Sequence, residues 1–333
     1  MKGAAAAPGC LSLLLAIFVL RFIIFLSPPW LAWLIGSVVV GSISIGVYLG
    51  IKGKSKVERP QPRFSGVSNT ARTFLALPER CVPVRIRNQS GQEIKSLDDW
   101  FQFAPPKRGA VHWQDFRSAK ELARSWLRNG TTEAPEELKE LLSSKFGGQV
   151  RFIEGIPECV VRLDNFRGEQ RHCDLVAYCH TESVRIVVSI EAKAHEPFGD
   201  ATVGAYYDSK LATRSNVPLR IQNLSASLFG RFDTEIRSLR YQLLHSATAA
   251  LIEAQNCNAD IAVFVVHELL SPILDPRKIA QNRAEWARFV HAFPSLRDLG
   301  VEENQLLGPV YVPGKPMVPC PAPLYLGHVV SQC

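Results

Sequence analysis

The run Val184–Ile190 reads Val-Arg-Ile-Val-Val-Ser-Ile, and it limits what the middle of this chain can become. β-Branched side chains lose rotamer freedom in a helix and pack well on a pleated surface, so the run predicts a strand. It ends in Glu191-Ala192-Lys193, and the period of two puts Glu191 and Lys193 on one face at the strand's C-terminal end. His172–His180 reads as the strand before it, joined by the short polar connection Thr181-Glu182-Ser183. With Glu182-Ser183 as a two-residue loop, pairing partners sum to 365 and Asp174 falls opposite Glu191. Directly opposed residues have Cβ atoms about 4.5–5.5 Å apart, near enough for two carboxylates to share one ion. A slip of one residue would send them to opposite faces.

An acid two residues before a lysine occurs four times: at Glu93, Glu137, Glu191 and Asp208. Context selects among them. Glu93 lies among Asn, Ser, Gly and Gln, Glu137 sits in the predicted helix Ala134–Lys145, and Asp208 follows a Tyr pair in an irregular stretch. Only Glu191 has a strand beneath it.

Asp174, then Glu191-Ala192-Lys193 on the next strand, then a long amphipathic helix and a further apolar strand, resembles the PD-(D/E)XK, or restriction-endonuclease-like, nuclease superfamily over roughly Ser118 to Glu268. Cys173 stands where the Pro naming the family's first motif would be. The longer string Glu191-Ala-Lys-Ala-His-Glu-Pro-Phe-Gly199 is also similar to an uncharacterised bacterial family placed near these nucleases. The resemblance implies a mixed sheet flanked by helices and a catalytic trio of Asp174, Glu191 and Lys193. It implies Mg²⁺ or Mn²⁺ as cofactor, held by Asp174, Glu191 and the Ala192 carbonyl, with Glu121 on the first core helix as a further ligand. Hard oxygen ligands of this kind suit Mg²⁺, which keeps several waters and bridges to substrate phosphate. Lys193 would orient or deprotonate the attacking water, or neutralise the phosphate.

The first fifty residues are of another kind. Cys10–Ser27 is apolar except for Arg21, and Trp30–Ile51 is a 22-residue run without a charge, separated from the first by Pro28-Pro29. Each is long enough for a hydrocarbon core of about 30 Å, which predicts a transmembrane hairpin over 1–51. No small-residue cleavage site follows the first run, against a signal peptide. Arg21 at mid-helix costs about 2.5–3.5 kcal/mol on insertion scales, so it should snorkel or face the partner helix. Lys52, Lys54, Lys56, Arg59 and Arg63 crowd the exit of the second span. By the positive-inside rule the remainder lies in the cytoplasm, on the inner membrane, with anionic lipid headgroups as partners of Lys52–Arg63.

The same cluster explains the net charge of +7. Lys2 and Arg21 give +2 and residues 52–63 give +4, leaving +1 for residues 64–333. A high isoelectric point is therefore no argument for nucleic acid here. Eight cysteines without a CxxC pair fit a reducing compartment. His172, Cys173, Cys179 and His180 bracket one strand, but alternation sends the cysteines away from the histidines, so zinc is not expected and Cys173 and Cys179 read as core residues.

Residues 52–110 read as a basic juxtamembrane linker and lead-in, with a short strand at Val84–Arg87. The α/β domain spans 111–300, and 301–333 reads as a C-terminal tail. Ser118–Leu127 predicts a helix with Ser118 as N-cap and Glu121 completing a capping box. Ala134–Lys145 predicts a second helix, stopped at Gly147-Gly148. Strands at Val150–Glu154 and Cys159–Leu163 precede the hairpin, and residues 200–232, rich in Ser, Gly and Arg, read as a loop-dominated insertion. Glu235–Ala254 is a long amphipathic helix, Ile261–Val266 an apolar strand and Asp275–Phe293 another helix. That order belongs to an α/β core with helices on both faces of a mixed sheet.

Arg237, Arg240, Gln242 and His245 leave the apolar stripe of the long helix and are candidates to touch a phosphate backbone. A patch of Arg214, Arg220, Arg231, Arg237 and Arg240 would compensate for the near-neutral domain charge. There is no Walker loop, GxGxxG or Gly-x-Ser-x-Gly elbow. Two functions follow. One is a membrane-anchored, metal-dependent nuclease acting on nucleic acid, with DNA first, at the cytoplasmic face. The other is a catalytically inactive nuclease-fold module tethered to recruit a partner.

Overall fold

The computed structural model describes residues 83–333 apart from Asn129, Pro272, Leu274 and Cys333. The hairpin expected over 1–51 and its basic exit lie outside the described residues. Among the described residues no helix is long and apolar enough to cross a membrane.

In chain order the elements are β1 (Arg85–Ile86), α1 (Leu97–Phe103), α2 (Ser118–Trp126), β2 (Leu127–Arg128), β3 (Thr131–Thr132), α3 (Glu136–Phe146), β4 (Arg151–Val161), β5 (Arg171–His180) and β6 (Arg185–Lys193). There follow α4 (Val203–Leu211), α5 (Val217–Phe229), α6 (Thr234–Ser238), α7 (Tyr241–Asn256), β7 (Ile261–Leu270), α8 (Pro276–His291), β8 (Gln305–Val310) and β9 (Leu324–Gln332). Seven strands form one mixed sheet in the order β1-β4-β5-β6-β7-β9-β8. β6, β7 and β9 run parallel, while β5 is antiparallel to both β4 and β6.

Helices cover both faces. Trp100 of α1, Leu122 and Trp126 of α2 and Leu138, Leu141 and Leu142 of α3 pack on one face, against Leu175, Ala177, Val188, Ile190 and Val263. On the other, Ile221, Leu224 and Leu228 of α5, Leu243, Leu244, Ala247 and Leu251 of α7 and Trp286 and Phe289 of α8 meet Val176, Val187, Ala262 and Phe264. Val187, Val188, Val263, Phe264 and Val265 are each fully buried, as expected of central strands with both faces covered. The three-layer mixed α/β class expected from the sequence is the observed one.

The hairpin register is the expected one. Leu175 pairs Ile190, Tyr178 pairs Val187 and His180 pairs Arg185, each summing to 365, and the Thr181 N–H donates to the Val184 carbonyl to close the Glu182-Ser183 loop.

Several boundaries differ. Residues 301–333 are no tail: β9 lies between β7 and β8 inside the sheet, because Leu324, Leu326 and Val329 bury their side chains against its two faces. The insertion at 200–232 is helical. Thr202 caps α4 by accepting the Ala205 N–H at 3.2 Å, and α5 buries Ile221, Leu224 and Leu228. The long helix breaks at Leu239, which is extended, into α6 and α7. Strands expected at Val150–Glu154 and Cys159–Leu163 are one strand, β4, whose pairing shifts between Phe152 and Glu154. Arg117, not Ser118, is the N-cap of α2 and its side chain makes no cap bond. The Ser118 N–H is taken instead by Glu196 Oε1 at 3.2 Å, from the loop after β6.

Candidate active site

Asp174, Glu191 and Lys193 sit where β5 and β6 approach the ends of their pairing, on the face covered by α7. Regular β5–β6 pairing stops at Leu175–Ile190, and no pair joins Asp174 to Glu158 although Pro157–Leu175 and Cys159–Cys173 pair on either side. Glu158 has φ 47°, a left-handed value that is costly for a residue with a side chain. At this irregularity strict alternation fails too. Cys173 packs in the core beneath α7, while Cys179 packs in the core on the opposite face, so the expectation that both face away from Asp174 holds for Cys179 alone. Both are buried free thiols.

Freed from the ladders, the Asp174 side chain acts on the neighbouring strand. Its Oδ2 accepts the Ala192 N–H at 2.8 Å. A residue's N–H and C=O leave an extended strand on the same side, so the Ala192 carbonyl is directed towards β5 as well. The Glu191 carboxylate is fully buried and receives four donors. Lys193 Nζ at 2.7 Å and Gln242 Nε2 at 2.6 Å reach Oε1, and Arg171 and Ser246 Oγ, the latter at 3.3 Å, reach Oε2. Lys193 Nζ also stands 5.5 Å over the Phe198 ring.

The electrostatics divide the three carboxyls into two kinds. Burial alone would push the Glu191 carboxyl up, but Lys193 and Arg171 outweigh it and hold the group below its ordinary range. Asp174 is pushed up to about 7 by burial and by the Glu191 charge. Glu158 is pushed up to about 8 by burial and by the Asp174 charge. Lys193 and Arg171, though desolvated, are held in the charged form by Glu191. With all five groups ionised the three acids exceed the two cations by one charge.

A cavity of about 550 Å³ opens onto Asp174 and Glu158, with Arg171, His172 and His245 also in its wall. His245 is half-buried, its ring centroid is 4.7 Å from that of Tyr241, and burial followed by the Arg171 charge lowers its pKa well below the usual imidazole value. Arg171 Nε, His245 Nδ1 and Gln242 Oε1 are buried without hydrogen-bond partners.

The other expected residues fall elsewhere. Glu121 is buried on α2, where its Oε1 accepts the Phe116 N–H at 2.7 Å and the Arg124 guanidinium at 2.6 Å, and it does not line the cavity at Asp174. Arg237 pairs with Asp208 at 2.8 Å and Arg240 with Glu285, while Gln242 supports Glu191; of the four candidate phosphate contacts only His245 reaches the cavity. Arg220 and Arg231 are likewise held by Asp164 and Asp233, which neutralises most of the expected basic patch. Glu196, next to the triplet, caps its own turn through the Ala194 and His195 N–H groups. His267 and Glu268 face Ser331 and Arg283 across β9 and α8.

Arg171 and Glu158 were not among the sequence candidates. Glu158 lay in the gap left by reading β4 as two strands, so the β4–β5 register that sets it opposite Asp174, with pairs summing to 332, could not be read from the sequence. Arg171 had only its place at the head of β5.

The donor set is one of hard oxygens with excess negative charge, which suits Mg²⁺ or Mn²⁺. Among the described residues no three His, Cys, Asp or Glu side chains converge as a finished ion cage. Asp174 and Glu158 have the charge to hold an ion, and Glu191 would join once Arg171 releases Oε2.

No curated protein matches this chain, and no solved structure does. A family model described as "Domain of unknown function (DUF6946)" matches residues 93–332, which covers every strand of the sheet except β1 and all of the cluster around Asp174. The chain belongs to this family.

Proposed function

We propose that this chain is a metal-dependent nuclease with a restriction-endonuclease-like core, hydrolysing phosphodiester bonds in DNA or RNA. One observation carries the reading: Glu158 and Asp174 line a cavity beside the buried Glu191, Arg171 and Lys193, and the carboxyls of the first two are pushed up by burial first and then by the neighbouring negative charge. Such perturbed groups in a cleft mark functional sites. Asp174, Glu191 and the Ala192 carbonyl would hold Mg²⁺ or Mn²⁺. When bound, the ion would lower the pKa of a water and offset charge on the phosphate. Lys193, fixed by Glu191 and buried against Phe198, orients the attacking water or donates to a phosphate oxygen. Arg171 holds Glu191 in place and can pass from carboxylate to phosphate as a planar donor. The apolar spans read at residues 10–51 would tether this activity to the cytoplasmic face of the inner membrane.

A second reading, an inactive nuclease-fold module that recruits a partner, has an observation of its own. Glu191 is saturated by Arg171, Lys193, Gln242 and Ser246, as in a buried ion network that only holds strands together. Cleavage assays separate the two. The full-length chain in detergent is incubated with DNA and RNA in Mg²⁺, Mn²⁺ or EDTA, beside Asp174→Ala and Lys193→Ala. The nuclease reading expects cleavage that needs metal and falls at least about 100-fold in both variants, the loss typical of removing one charge-stabilising group. No metal-dependent cleavage, or cleavage that survives both substitutions, supports the inactive module.

A further inference from the structure

The carboxyls described above do not lie on an open face; Asp174 and Glu158 are reached through the cavity of about 550 Å³. Pockets of about 300–1,000 Å³ enclose a single drug-sized ligand, so this one takes one or two nucleotides and not a base-paired duplex. Enzymes that must reach an atom inside a duplex act on single strands or extrude the nucleotide. Two kinds of wall line the cavity. Lys107, Arg167, Arg171 and Lys210 supply positive charge, and Tyr206 and Tyr241, with ring centroids 4.9 Å apart, supply an aromatic surface.

The cations here are more available than those of the arginine patch. Arg167 forms no ion pair among the described residues, Lys210 stands 5.8 Å over the Tyr206 ring, and Lys107 meets only the exposed Glu169. Arg171 is nine-tenths buried, lines the cavity and keeps Nε without a partner. His245 Nδ1, also unpartnered, offers a hydrogen bond to a base edge. Cationic side chains that follow a backbone, combined with rings on which bases stack, are the chemistry of single-strand binding.

We infer that the substrate is an unpaired nucleic-acid strand, which enters the cavity with its phosphates along Lys107, Arg167 and Lys210 and a base against Tyr206 and Tyr241. The inference rests on the nuclease reading for the fate of the strand, but its binding can be measured without cleavage. In EDTA, fluorescence anisotropy of the full-length chain is recorded with end-labelled 15-nucleotide DNA and RNA strands and with a blunt 15-base-pair duplex. Single strands should bind about tenfold or more tighter than the duplex. Tyr206→Ala should weaken strand binding about fivefold or more while Tyr206→Phe retains it, since stacking needs the ring and not the hydroxyl. Arg167→Glu should weaken binding and flatten its salt dependence. Equal or tighter duplex binding, no binding to any probe, or a well-folded Tyr206→Ala that binds as the unmodified chain does would overturn the inference. If Tyr206→Ala fails to fold, the strand-to-duplex ratio of the unmodified chain decides. Adding Mg²⁺ separates the two readings: strands bound but uncut would sink the nuclease and leave the strand site, whereas cutting of duplex without strand preference would do the reverse. The DNA and RNA arms identify the sugar.

Discussion

Arg171 reaches across from β5 to a carboxylate that has no exposed surface, and its removal leaves Glu191 with one cation where it had two. Breaking a buried pair from one side costs about 3–5 kcal/mol, so Arg171→Met should lower the unfolding free energy by that order in urea titration. A loss below about 1 kcal/mol would mean that Lys193 alone suffices. Glu158 is held the other way. Its carboxyl and that of Asp174 are raised in the fold to about 8 and about 7, from ordinary values of 4.5 and 3.8. A raised pKa means that the folded state favours the proton. In the absence of divalent metal, stability is therefore full below about pH 4 as far as these two groups are concerned, and is lost as pH rises towards 8. Glu158→Gln should match the unmodified chain near pH 4 and melt at a higher temperature at pH 8; a lower melting temperature at pH 8 would show that the ionised group is stabilising. Asp174, Glu191 and Lys193 were legible from the sequence because a two-residue loop and the period of two fix the partners. Arg171 and Glu158 were not, because their approach depends on the pairing of β4 with β5 and on the left-handed turn of Glu158, which no periodicity announces.

At the scale of elements, the β-branched run made β6 legible and the hairpin followed from it. The buried spacing Ile221, Leu224, Leu228 on α5 was also present in the sequence, but Ser225 and Ser227 are buried beside it and disguised the stripe as a polar loop. The last thirty-three residues misled for a related reason. Six prolines interrupt them, and only the adjacent β7, which needs a neighbour on its second edge, shows why Leu324–Gln332 must be a strand. β9 pairs with β7 from Ala262 to Leu270 and with β8 beyond. Ending the chain at Gly300 should thus expose the edge of β7 and abolish cooperative unfolding, as judged by circular dichroism, with aggregation through the open edge. A truncated chain that melts as the full one does would restore the reading of this segment as a dispensable tail.

For the whole molecule, charge placement divides the labour. Most of the net +7 lies before residue 64, while the α/β domain is close to neutral and spends its arginines on internal pairs with Asp164, Asp208, Asp233 and Glu285. What it leaves uncompensated is the acid cluster at the end of the β5–β6 hairpin, beside a cavity with cationic walls. This pairing of an acidic floor with a basic approach is the feature that a phosphodiester substrate and a divalent ion would both satisfy. The most direct test is binding of Mn²⁺ to the full-length chain at pH 7.5, read from the loss of the free-ion electron paramagnetic resonance signal. One Mn²⁺ per chain is expected, accompanied by a rise in melting temperature and abolished by Asp174→Asn. No bound ion, or one that persists unchanged in Asp174→Asn, would contradict a metal centre at Asp174 and Glu191.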